Sequence, residues 1–144
     1  MNNLLLIDDN ILLLDALAAV IGEQLKDCNT LIARNGREGI AMMDSLPVAF
    51  ILTDLEMPVM DGYGVINHRN KVCPQVPLFV MSGRCFQDER EKLGELGVSE
   101  CIEKPFFFEQ LTDKIACALN VEPIDTVKSN HPLLQQSAGN GMIM

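Results

Sequence analysis

The sequence predicts an α/β fold, a doubly wound parallel sheet with helices on both faces. Three observations predict it. Short apolar runs recur along the chain, segments with apolar residues at helical spacing alternate with them, and only a few residues connect the two kinds. A strand followed by a helix and another strand favours a right-handed crossover, and therefore parallel pairing.

The first strand, Asn3 to Ile7, is an unbroken Leu and Ile run stopped by Asp8-Asp9, the pattern of a strand buried on both faces. The helix after it runs from Ile11 to Leu25, with Leu14, Leu17, Ala18, Ile21 and Leu25 on one stripe and Asn10 placed to cap its start. Thr30 to Ala33 follows as a strand and Arg37 to Leu46 as a helix behind Asn35-Gly36. Val48 to Thr53 is a β-branched third strand that ends at Asp54. Gly62 to Val72 is the third helix and Pro77 to Met81 the fourth strand. Gln87 to Leu96 is a charged helix closed by Gly97, and Val98 to Ile102 is the fifth strand.

The last helix spans Phe106 to Leu119, with Phe106, Ile115 and Leu119 on its core face. Three consecutive positions sweep about 200° of a helix, so either Phe107 or Phe108 is expected to be at least partly exposed. From residue 121 the periodicity stops and Pro123, Ser129, Asn130, Pro132, Gln135, Gln136, Gly139 and Gly141 dominate. The expected organisation is one domain over 1–120 and a flexible tail over 121–144, in which Leu133-Leu134 and Met142-Ile143-Met144 are short apolar segments.

The chain has 144 residues, 48% of them hydrophobic and 22% charged, enough for a single core. Twenty acids against 11 bases give a net charge of −9, which repels phosphate backbones and argues against direct nucleic-acid binding. No apolar run approaches the roughly 20 residues of a bilayer span, and no basic signal-peptide start is present, so a cytoplasmic location is expected. Cys28, Cys73, Cys85, Cys101 and Cys117 are odd in number and lack a Cys-x-x-Cys pair, which favours reduced thiols packed as small hydrophobes. The histidines, His68 and His131, do not neighbour cysteines in the manner of a zinc site.

Open parallel sheets bind ligands at the carboxyl ends of their strands. That places Asp8, Asp9, Asp54, Ser82 and Lys104, at or just past four strand ends, in one crevice. Three carboxylates there would raise one another's pKa unless a cation neutralises them. Magnesium, which takes one or two carboxylates and keeps several waters, suits Asp9 and Asp54, with Asp8 acting through water. Taken singly, each residue has an ordinary explanation: acids ending a strand, an acid before the turn at Met57-Pro58, a lysine before a proline. The combination points to a site.

Four ordered motifs, Asp8-Asp9, Asp54-Leu55-Glu56-Met57-Pro58-Val59-Met60-Asp61-Gly62, Met81-Ser82-Gly83 and Lys104-Pro105-Phe106, together resemble the response regulator receiver domains of two-component systems, over residues 3–119. The likeness is to the single-domain, chemotaxis-regulator kind. It implies a flavodoxin-like sheet of five strands in the order 2-1-3-4-5 with five helices. It further implies that Asp54 is the nucleophile that takes a phosphoryl group from the phosphohistidine of a sensor histidine kinase or phosphotransfer protein. Lys104 and magnesium would neutralise the equatorial oxygens, Ser82 would offer its hydroxyl, and Glu56 its backbone carbonyl to the metal. Glu56 and Arg84 border the site and are candidates for tuning the lifetime of the phosphoryl group.

One position departs from the family pattern. The aromatic residue usual three positions before the lysine is Cys101 here, too small to swing a ring. The output is therefore expected to rest on the Ser82 loop and the helix over Gln87 to Leu96. The chain is read as a stand-alone switch with self-catalysed chemistry rather than a turnover enzyme, acting on a downstream protein. Its alternatives are a phosphorylation-independent receiver-fold scaffold, for which Cys101 is the hint, and a magnesium-dependent phosphohydrolase with an aspartyl nucleophile. The phosphohydrolase pattern puts the nucleophile after the first strand and adds a cap, both missing here.

Overall fold

The structure, a computed structural model, describes residues 1–124. Strands and helices alternate as β1 (Asn2–Ile7), α1 (Ile11–Gln24), β2 (Cys28–Ala33), α2 (Gly36–Ser45), β3 (Phe50–Asp54), α3 (Gly62–Val72), β4 (Leu78–Ser82), α4 (Gln87–Glu95), β5 (Glu100–Glu103) and α5 (Phe108–Leu119). All four strand pairings are parallel, and the sheet order is β2-β1-β3-β4-β5, the order that the resemblance implies.

Side chains of a strand alternate between faces, so an unbroken apolar strand feeds two cores. Leu4 and Leu6 of β1 join Leu14, Leu17 and Ile21 of α1 and Leu111 and Ile115 of α5 on one face. Leu5 and Ile7 join Val65 and Ile66 of α3 and Leu93 of α4 on the other. Leu4, Leu5, Leu6 and Ile7 are all fully buried. Three helix starts are capped by side chains: Asn10 accepts from the Leu13 N–H, Asn35 from the Glu38 N–H and Asp61 from the Gly64 N–H.

Several boundaries differ from expectation for local reasons. The fifth strand begins at Glu100 because Gly97 is left-handed (φ 94°) and the Val98 N–H turns back to the Leu93 carbonyl, closing α4. The last helix begins at Phe108 because Phe107 has an extended backbone. Phe106 therefore precedes the helix, and helical geometry does not govern the phenylalanine run. Phe106 and Phe108 are both buried, their ring centroids 5.8 Å apart, and Phe107 is half-buried. Asp54 and Ser82, expected just past their strands, are the last residues of β3 and β4.

The expectation of five separate thiols needs correction. Cys85, in the loop after β4, forms a disulfide with Cys101 of β5, while Cys28, Cys73 and Cys117 are free. The sheet supplies the reason: β5 lies beside β4, so a residue three past the end of β4 reaches over its neighbour. Sequence separation alone does not reveal this proximity.

Beyond α5 the chain stays attached for a few residues. The Val121 N–H donates to the Ala116 carbonyl at 3.0 Å, the Ile124 N–H donates to the Gln24 carbonyl at 2.7 Å, and Pro123 bridges Leu25. The remainder of the expected tail, 125–144, with its apolar segments and His131, lies outside the described residues. Among the described residues, no helix is long and apolar enough to cross a membrane.

Candidate functional site

The carboxyl ends of β1, β3, β4 and β5 bring the expected site residues to one edge of the sheet. Asp8 follows β1 directly and is fully buried, its Oδ1 accepting from the Asn10 N–H at 3.0 Å. Asp9 beside it is exposed. Asp54 closes β3 and is 7% exposed. One carboxylate oxygen from each of Asp8, Asp9 and Asp54 lies within 4.8 Å of the other two.

Lys104, one residue past β5, reaches across this group. Its Nζ donates to Asp8 Oδ2 at 2.8 Å and lies 3.4 Å from Asp54 Oδ1. Burial lowers the Lys104 pKa, but the Asp8 hydrogen bond and the charges of Asp8 and Asp54 outweigh it, and the net direction is upward. Asp54 moves the other way from the usual salt-bridged acid. Burial, then the charge of Asp8, push it from an ordinary 3.8 up to about 6, while Lys104 and the Glu56 backbone N–H act in the opposite sense. Three carboxyl groups thus face one ammonium in a partly buried crevice. A hard divalent cation with oxygen preference fits that donor set.

The remaining expected residues are differently placed. Glu56 has an exposed side chain in the loop after β3, and its carboxylate is not a member of the acidic group. Ser82 is buried, and its hydroxyl bonds only to the loop that follows it, donating to the Arg84 carbonyl at 3.0 Å and accepting from the Arg84 N–H at 3.2 Å, while its carbonyl accepts from the Lys104 N–H at 2.8 Å. Arg84 is exposed, its guanidinium 6.0 Å from the centre of the Phe86 ring.

Three residues support the site in ways that a reading of the sequence does not reveal. Gly62 packs so closely on β3 that a Cβ there would stand 2.6 Å from the Asp54 carbonyl oxygen and 2.8 Å from Leu55 Cα. Val59, in the intervening loop, has φ 72°, a conformation that a β-branched residue rarely adopts. Glu103 accepts the Cys85 N–H at 3.1 Å and ties the Ser82 loop to β5. The Gly62 signal was present in its motif, but the contact that explains it exists only in three dimensions.

Comparison with known proteins identifies the family and the fold. A family model described as the response regulator receiver domain matches residues 4–116. The Helicobacter pylori sensor histidine kinase CheAY is 36% identical over 95 residues, 62% of this chain and 12% of that protein. The CpxR homolog of Haemophilus influenzae, a transcriptional regulatory protein, is 30% identical over 119 residues, 83% of this chain and 51% of that protein. The chain thus spans from about an eighth to half the length of these relatives. Among solved structures, a CheY-like receiver domain protein from Methanospirillum hungatei superposes with a TM-score of 0.76 at 22% identity, covering 83% of this chain and 94% of that one. The response regulator TrrA of Thermotoga maritima, in complex with Mg(2+)-BeF, gives 0.71 at 23% identity, covering 83% and 100%. At such identities the likeness concerns the fold.

Proposed function

The chain belongs to the response regulator receiver domain family, and from that premise we propose that it accepts a phosphoryl group on Asp54 from a phosphohistidine protein and thereby changes which protein it binds. The observation that carries this reading is the setting of Asp54: a carboxylate at the sheet's carboxyl edge, between the acids Asp8 and Asp9 and within 3.4 Å of the Lys104 ammonium. An Asp54 oxygen attacks phosphorus and forms an acyl phosphate. The P–N bond of the donor breaks, and its electron pair stays on the imidazole nitrogen. Lys104 is placed to meet the charge on the transferring group without moving far from Asp8.

Asp9 and Asp54 would hold magnesium directly, Asp8 through water and Glu56 through its backbone carbonyl. When bound, the ion supplies neutralisation of the equatorial oxygens. The Mg(2+)-BeF complex of the structurally similar TrrA supports that assignment. Ser82 would turn its hydroxyl out of its bonds with Arg84 to meet the phosphoryl oxygens, and Glu56 and Arg84 would tune its lifetime. Water returns Asp54 to the carboxylate, so the chemistry is self-catalysed and resets a switch.

The donor is a sensor histidine kinase or a phosphotransfer protein, a reading supported by relatives that include such kinases and regulators. The target is another protein and not nucleic acid, given the net charge of −9, and the location is cytoplasmic. Residues 1–120 form the receiver and 121–144 a tail. The test is labelling with acetyl phosphate, read by intact mass. A gain of one phosphoryl group that requires magnesium and vanishes in Asp54→Ala is expected. A folded protein that gains none in magnesium is a scaffold and not a phosphoacceptor.

A further inference from the structure

Cys85 and Cys101 join the two parts of the molecule on which the switch depends. Cys101 sits in β5, paired with Val80 of β4, in the rigid sheet. Cys85 belongs to the loop that follows Ser82, the last residue of β4. Their Cα atoms are 6.2 Å apart, inside the range that a disulfide spans, and their sulfurs are bonded. Cys85 is also a node of polar contacts: its N–H donates to Glu103 and its carbonyl accepts from Arg90 Nε at 2.8 Å. At the start of the same loop, the Ser82 hydroxyl is turned toward Arg84.

We propose that Cys85 and Cys101 form a reversible redox site, whose closure to the disulfide holds the Ser82–Cys85 loop against β5 and slows phosphoryl uptake at Asp54. The last clause rests on Asp54 being the phosphoacceptor. The pair has the features of such a site. One partner is on a strand and the other on a loop, both buried at 7% and 8% exposure, but the loop's Gly83, Arg84 and Phe86 face solvent, so the pair lies just beneath the surface. Disulfides in a reducing compartment are generally transient and regulatory rather than structural. The other three cysteines are unpaired, so closure is confined to this pair.

The oxidant is a small-molecule disulfide such as oxidised glutathione. A thiolate of one cysteine attacks it, forming a mixed disulfide and releasing one small thiol. The second cysteine then attacks the protein-bound sulfur and releases the other. One S–S bond breaks and one forms. Two electrons pass to the reagent, and the two cysteine protons end on the two released thiols. Excess reduced thiol reverses both steps.

The full-length protein is equilibrated in glutathione buffers, quenched with acid, denatured and alkylated. Three alkylated cysteines are expected on the oxidised protein and five on the reduced one, with Cys85 and Cys101 in one cross-linked peptide only after oxidation. Five alkylated cysteines in every buffer overturn the site. Amide exchange over residues 83–86 should quicken about tenfold on reduction. Cys101→Ala should exchange like the reduced protein in both buffers. Equal exchange in the two redox states overturns the clamp. Acetyl phosphate labelling should be about tenfold slower in the oxidised protein, and equal rates overturn the regulatory step. Absence of labelling in both states counts against Asp54 as acceptor, and alkylation and exchange then decide the redox site independently.

Discussion

Asp54 is a carboxylate that the fold makes costly to ionise. Burial comes first and the neighbouring Asp8 charge second, and the Lys104 ammonium does not offset both, because its shorter contact is to Asp8 at 2.8 Å rather than to Asp54 at 3.4 Å. The consequence for stability has a definite sign. In the unfolded chain Asp54 loses its proton near 3.8, in the fold near 6, so between these values the folded state binds more protons than the unfolded one. Without divalent metal, stability therefore falls as pH rises from 3.8 to about 6 and the penalty is complete above it. Each pKa unit is worth about 1.4 kcal/mol, so the rise from 3.8 to about 6 costs on the order of 3 kcal/mol. Asp54→Asn should remove it. Urea unfolding in chelator at pH 7.5 should show the variant more stable than wild type by about 3 kcal/mol, the difference shrinking toward pH 4. A variant no more stable than wild type at pH 7.5 would refute this electrostatic account.

The loop from Leu55 to Asp61 aims Asp54, and it does so through contacts with the first turn of α3. The Gly62 N–H donates to the Leu55 carbonyl at 2.9 Å, and the bare Cα of Gly62 lets the helix approach the Asp54 backbone. Gly62→Ala would drive a methyl into that backbone, which a flexible side chain cannot absorb. Thermal unfolding should show a loss of about 2 kcal/mol, with slower acetyl phosphate labelling because Asp54 moves with the loop. Unchanged stability and labelling would mean that the approach is not needed. The same region shows what was legible in the sequence. Element order, the burial of β1 on both faces and the convergence of Asp8, Asp9, Asp54 and Lys104 follow from apolar runs and short loops, which are local properties. The late start of α5 at Phe108, the left-handed Val59 and the Cys85–Cys101 pairing do not, since backbone strain and cross-strand neighbours depend on how distant segments meet. Ser82 was legible as a site residue, but its bonding to Arg84 was not.

At the scale of the whole molecule, the end of the folded unit is set by contacts between α1 and the segment after α5. A change of composition at residue 121 suggests a boundary, yet the next residues still add to the fold. The Val121 N–H adds a second donor to the Ala116 carbonyl, which also accepts from the Asn120 N–H, while the left-handed Asn120 turns the chain back. Val121 packs against the core beside Leu119, and the Ile124 N–H reaches the Gln24 carbonyl at the end of α1. Thr112 Oγ1, within α5, also donates to Gln24 Oε1 at 2.6 Å, so the end of α1 is tied to α5 itself as well as to the segment after it. A chain ending at residue 120 forfeits two backbone hydrogen bonds and the partial burial of Val121, on the order of 1–2 kcal/mol in total. A chain ending at Ile124 should therefore unfold several degrees above one ending at Asn120. Calorimetry of the two would decide it, and coincident transitions would place the boundary at residue 120. The acidic edge lies at the opposite ends of the strands from this seam, so acetyl phosphate labelling of Asp54 should proceed at the same rate in both chains wherever both are folded.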